Sequence, residues 1–149
     1  DQQQHAYVLL PGEAAPPEGL QHGLATANRL QDLLMTEFVA ERTGNAILAA
    51  TRAAAAAAGI DGLIYTHAIG LHGHAAGPTI GLWDQQGGVP GAGDYPLWPG
   101  TAHSIELQAR VGVAEWDDQV VQFMLEEDAW FDGRQCRFLD GRQTELWVV

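Results

Sequence analysis

The chain has 149 residues, 46% of them hydrophobic, which is enough apolar content for one packed domain. Seven basic residues, all arginine, stand against 19 acidic ones, giving a formal net charge of −12. Scattered arginines on so acidic a chain do not build a phosphate-binding face, which argues against nucleic acid, and no apolar run is long enough to span a bilayer.

Cys136 is the one cysteine, so neither an internal disulfide nor a paired-thiolate zinc site is available. A lone thiol is compatible with a reducing compartment such as the cytoplasm without fixing one. A strongly acidic surface also concentrates cations.

In chain order, residues 1–10 read as the interior of a strand with no preceding cap or methionine, so the chain is expected to begin inside a longer protein. Pro11-Gly12 ends that strand, and the Pro- and Ala-rich residues 13–19 read as a loop. Leu20, Leu24, Ala27, Leu30, Leu33, Leu34 and Phe38 then recur at intervals of three and four, which predicts an amphipathic helix over 20–41. Thr43-Gly-Asn45 offers an N-cap for a second helix over 47–58, and Gly59 is placed to close it in a left-handed conformation. Its alanines let a helix lie close against a sheet. Segments 62–65, 79–83, 101–107, 120–125, 129–131 and 144–149 read as strands, punctuated by Gly and Pro in 86–93 and 96–100 and by the Asp140-Gly141 turn. Two helices followed by short strands predict an α+β domain with helices packed on a curved antiparallel sheet.

Three segments carry chemistry: His67-Ala-Ile-Gly-Leu-His-Gly-His74, Ser104-Ile-Glu106 and Leu125-Glu126-Glu127-Asp128. Carboxylates with imidazole and no thiolate suit divalent cations at the harder end of the series, so metal-assisted hydrolysis is the first expectation. Glu106 lies between Ile105 and Leu107, and an ionised carboxylate on a buried strand needs a cation or a partner. Strand alternation lets only one of Glu126 and Glu127 face such a site. His5, His22 and His103 read as structural histidines.

These segments resemble the metal-binding segments of the pita-bread metallopeptidases, the family of methionine aminopeptidases, aminopeptidase P, prolidase and creatinase. The wording is most similar to the Xaa-Pro aminopeptidase and Xaa-Pro dipeptidase branch, and the resemblance covers nearly the whole chain. It implies a pita-bread fold incomplete at its N-terminus, with residues 1–149 forming the C-terminal part of one catalytic domain. Carried over residue by residue, it implies that Asp1 bridges two metal ions and that His67 binds one of them. Glu106 would bind a metal and act as general base on the attacking water, and Glu126, with Glu127 as the alternative, would bridge both ions. His74 would stabilise the tetrahedral intermediate or pass a proton. The cofactor implied is two divalent cations, Mn²⁺ first, with Co²⁺ or Zn²⁺ as alternatives. The substrate implied is a peptide with proline in second position, its ring lined by Trp83, Tyr95, Trp98 or His72, and a homodimer is the implied assembly.

The chain departs from the family pattern in four places. The first aspartate ligand would lie one strand before Asp1, Leu63 stands where prolidase-like members often carry a histidine, and His103 stands where an apolar or aromatic residue is common. The N-terminal domain of aminopeptidase P and prolidase is not represented. Two other functions fit the same resemblance: a non-catalytic pita-bread module that binds a peptide or protein, and a creatinase-like hydrolase of a non-peptide C–N bond. If the peptidase reading holds, alanine at Glu106 abolishes turnover and alanine at His103 does not; equal losses in a peptidase assay would remove the assignment.

Overall fold

In the computed structural model, which describes residues 1–149, the apolar stripe of the first third forms helix α1 (Glu18–Thr36). Leu20, Leu24, Ala27, Leu30 and Leu34 line its buried face. The helix stops short of the expected residue 41. Arg42 folds back onto the carbonyl and carboxylate of Glu37, and Glu41 turns the chain with φ 67°. Phe38 stays buried in this turn, which is why the stripe reads as longer than the helix. Helix α2 (Gly44–Ala57) begins at its Thr43 cap, whose hydroxyl accepts from the Ala46 amide at 3.2 Å, and Gly59 leaves it with φ 70°.

The main sheet is antiparallel and five-stranded: β2 (Gly62–Ile64), β3 (His67–Ala68), β4 (Thr101–Val113), β5 (Gln119–Phe131) and β6 (Cys136–Phe138). Its order is β2-β4-β5-β6, with β3 also pairing β4. At the chain ends, β1 (Ala6–Tyr7) and β7 (Trp147–Val148) form a separate parallel pair.

Four expectations are corrected. Residues 1–10 supply only the two-residue β1 and a bridge from Gln3 to Glu126. Residues 79–83 form no strand, and Ile80 makes only an isolated bridge to Thr66. Segments 120–125 and 129–131 are one continuous strand, β5, because the acidic run between them alternates faces without breaking the ladder. β4 runs six residues past 107 to complete this long hairpin, and β6 has no forerunner in the sequence reading.

Alternation divides the sheet into two surfaces. Ile105, Leu107 and Ala109 on β4, with Phe123, Leu125, Ala129 and Phe131 on β5, are buried in the core with the helices. One cluster joins Leu30, Leu34, Ile47 and Leu48 to Ile105 and Phe131, and another joins Leu20, Leu24 and Ala27 to Phe123 and Leu125. Both helices therefore cover the same side, and Ser104, Glu106, Glu126 and Asp128 project from the other. No helix is long and apolar enough to cross a membrane.

The approach of α1 to β5 depends on Gly23, where a Cβ would overlap the ring of Phe123, itself only 2% exposed. Alanine there adds about 1 kcal/mol of helix propensity but overpacks the core at about 1–3 kcal/mol. Gly23→Ala is expected to lower the denaturation midpoint; an unchanged or raised midpoint would show that α1 can lift without loss.

Candidate metal centre

Register brings the acids together. Glu106 on β4 stands directly opposite Glu126 on β5, and Ser104 stands opposite Asp128. Two carboxylates facing across a ladder repel one another, so the pair needs a donor or a cation. Ser104 Oγ donates to Glu126 Oε1 at 2.8 Å. On the other edge of β4, His67 of β3 pairs with Ser104, which carries its imidazole to the two glutamates: Nε2 lies 3.7 Å from Glu106 Oε2 and 3.9 Å from Glu126 Oε1. Nδ1 lies 3.1 Å from the Ala68 carbonyl. A carbonyl can only accept, so Nδ1 carries the proton and Nε2 presents its lone pair to the carboxylates. Burial lowers the His67 pKa, with the Ala68 carbonyl opposing it.

Backbone placement of Glu106 comes from Thr66, which is fully buried where β2 gives way to β3. Its hydroxyl accepts from the Glu106 amide and donates to the Glu106 carbonyl, each at 3.0 Å. Burial, and secondarily Glu126, raise the Glu106 pKa to about 7. Burial also raises Tyr65 to about 12, with Glu106 and Glu126 adding to it.

The N-terminal segment completes the cluster. Gln3 exchanges backbone hydrogen bonds with Glu126 at 2.9 and 3.1 Å, and the Asp1 nitrogen lies 2.8 Å from Asp128 Oδ1. One donor atom from each of Asp1, His67 and Glu126 then falls within 4.8 Å of the others. The arginine ion pairs, to Glu37, Asp61, Asp132 and Asp32, all lie elsewhere. Apart from the Asp1 nitrogen on Asp128, no cationic group meets this carboxylate-rich donor set, whose chemistry fits a divalent cation.

His74 stacks on His67 with ring centroids 4.0 Å apart and planes 19° from parallel. Both rings line a cleft of about 330 Å³ with Tyr65, Thr79, Leu82, Trp83 and Glu106. A second cleft of about 510 Å³ shares Thr79 and is walled by Ala75, Ala76, Tyr95, Pro96 and Trp98.

Asp1, His67, Glu106 and Glu126 thus converge, with His74 beside them. Glu127 faces away, 1% exposed beneath α1, where it accepts from Gln31 Nε2 at 2.7 Å and from the Gln143 amide at 3.0 Å. Of the aromatic candidates, Trp83 lines the first cleft and Tyr95 and Trp98 the second, whereas His72 lines neither. His103 is fully buried edge-on against Phe38 at 5.3 Å, with no partner for either ring nitrogen; burial lowers its pKa to about 4. Sequence reasoning missed the Thr66 clamp and Tyr65. Their only signal was adjacency to His67.

No protein-family model and no curated protein sequence matches the chain. Solved structures do match. The X-Pro aminopeptidase of Thermotoga maritima superposes with a TM-score of 0.62 at 19% identity over 90% of this chain and 34% of that one. The Xaa-Pro dipeptidase of Bacillus anthracis gives 0.62 at 20% over 90% and 34%. The N-terminal domain of the FACT complex subunit SPT16 from chickpea, Cicer arietinum, gives 0.59 at 10% over 83% and 29%. The chain spans about a third of the length of these neighbours, and what it shares with them is the α+β pita-bread fold.

The raised Glu106 pKa has a consequence for the metal-free protein. The folded state holds its proton up to about pH 7, whereas the unfolded chain releases it near the ordinary value of 4.5, so stability falls between these values as pH rises and levels off above them. Glu106→Gln removes the cost. In chelator, the variant is expected to gain in thermal midpoint over the wild type at pH 8 relative to pH 5; a difference that does not change with pH would contradict the burial argument.

Proposed function

We propose that the chain is the C-terminal part of the catalytic domain of a metallopeptidase that cleaves peptides at Xaa-Pro bonds. The observation that carries this reading is the convergence of Asp1, His67 and Glu126 on one cluster, with Glu106 directly beside it and a cleft adjoining. Its setting is a fold shared with an X-Pro aminopeptidase and an Xaa-Pro dipeptidase.

Asp1, His67 and Glu126 would hold one divalent cation, and Glu106, opposite Glu126, would contribute to holding a second. Mn²⁺ suits this carboxylate-rich set best, with Co²⁺ or Zn²⁺ next. When bound, the cations polarise the scissile carbonyl and lower the pKa of the attacking water.

The side chains divide the remaining work. Glu106, its backbone held at both polar groups by Thr66, takes the proton of the attacking water. His74, held by its stack on His67, faces the same cleft and stabilises the oxyanion or returns a proton to the departing amine. Trp83 and Leu82 give that cleft an apolar wall for a prolyl ring. The substrate is a peptide, and two copies of the protein form the working assembly.

A second reading has its own support. The fold also occurs in SPT16, a subunit of a complex, so a non-catalytic binding module is compatible with the same architecture. Assays of Xaa-Pro peptides with Mn²⁺ separate the two. Hydrolysis by the wild type, with kcat reduced by about 10²–10⁴-fold in Glu106→Gln, is the expected result. Peptide binding without hydrolysis, in protein loaded with Mn²⁺ or free of it, moves the chain to the binding-module reading.

A further inference from the structure

Asp1 is held beside the cluster by the Gln3–Glu126 bridge and by the contact of its nitrogen with Asp128, yet the rest of its segment has almost no strand of its own. Residues 1–7 change partners within a few positions. Gln3 pairs antiparallel with Glu126 of β5, whereas Ala6 and Tyr7 pair parallel with Trp147 and Val148 of β7. His5 lies at the changeover, where neither ladder satisfies its amide.

Gln143 meets that need with its side chain. Its Oε1 accepts from the His5 amide at 2.7 Å, and its Nε2 donates to the His5 carbonyl at 2.6 Å, so the carboxamide substitutes for a neighbouring strand. The residue is 4% exposed and all its polar groups are engaged. Its amide donates to Glu127 Oε1 at 3.0 Å, and its carbonyl accepts from Asn28 Nδ2 at 3.0 Å. Glu127 in turn accepts from Gln31 of α1 at 2.7 Å. The clasp is thereby fixed to the helix and to the residue next to Glu126, on the opposite side of the sheet from the cluster.

We infer that Gln143 is a positioning residue for the metal centre: it clamps His5 so that Asp1 lies within reach of His67 and Glu126. The inference rests on the metal reading above. Gln143 touches none of the cluster and acts only through the backbone of residues 1–5. Glu127 and Gln31 serve as its footing. A buried carboxylate satisfied by amide donors has a structural purpose here, which accounts for the second glutamate of the acidic run.

The test is a double-mutant cycle on the 149-residue chain, with Mn²⁺ affinity as the readout. Gln143→Met keeps the buried volume and removes the clasp, leaving His5 only its carbonyl bond from the Trp147 amide. Gln143→Met is expected to weaken Mn²⁺ binding about tenfold, as loss of an outer support typically does. In an Asp1→Asn background the same substitution is expected to add nothing. Amide exchange should quicken at residues 2–6 and stay unchanged in α1. If Gln143→Met fails to fold, Gln143→Glu keeps the acceptor for the His5 amide and is expected to weaken binding in the same background-dependent way. Equal losses in both backgrounds, no loss, or faster exchange throughout α1 would overturn the assignment while leaving the metal centre intact. A wild-type chain that takes up no Mn²⁺ would instead overturn the metal reading itself, and the role given to Gln143 with it.

Discussion

Two glutamates facing each other across an antiparallel ladder cost stability, and most of the molecule is arranged around that cost. Glu106 and Glu126 are opposed by register, not by loop placement, so the two carboxyls cannot be moved apart without slipping the β4–β5 hairpin, and relief has to come from a proton, a donor or a cation. Slippage of either strand by one residue would put all of its core side chains on the wrong face. The hydrophobic clusters beneath the helices therefore enforce the carboxylate pair above them. Core packing on one side of the sheet supplies the free energy that holds an unfavourable charge arrangement on the other.

That division explains why both helices cover one face. With α1 and α2 on the same side, the opposite face is bordered by the β2–β3 junction, the 71–83 loop and the N-terminal segment. Each contributes one chemically distinct element: the Thr66 clamp and His67, the His74 ring, and the Asp1 carboxylate. The same fold is matched in two peptidases and in a FACT-complex subunit, so the scaffold alone does not assign a function. What the side chains bring to that open face decides between hydrolysis and binding.

Much of this was legible in the sequence, for identifiable reasons. The Leu20-to-Phe38 stripe and the Thr43 cap are local signals, and local signals survive folding unchanged. The imidazole and carboxylate segments could be read as one set because each keeps its immediate apolar context. Elements stabilised by distant partners were harder. β6 has three residues and pairs only with β5, while residues 79–83 carry strand-like composition but make only two isolated bridges, from Ile80 and from Leu82. The acidic run suggested a break in β5 because sequence alone does not show that Glu127 faces Gln31 and Gln143 while its neighbours face outward. His103, read from the sequence as a structural histidine, is turned by alternation toward Phe38. Gln143 gives no signal at all, since its role exists only once His5 is brought alongside it.

The pairing of residues 5–7 with residues 143–149 also constrains the order of folding. Contacts from His5 to Gln143 and from Ala6 to Trp147 close loops nearly as long as the chain itself. Such closures come late in folding, because their entropic cost is met only after local structure has formed. On the ribosome, the helices and the β4–β5 hairpin can assemble while residues 143–149 are still unmade. The backbone bridge from Gln3 to Glu126 needs only the hairpin, whereas the clasp on His5 waits for Gln143, so residues 1–7 are joined to the rest of the fold in two steps.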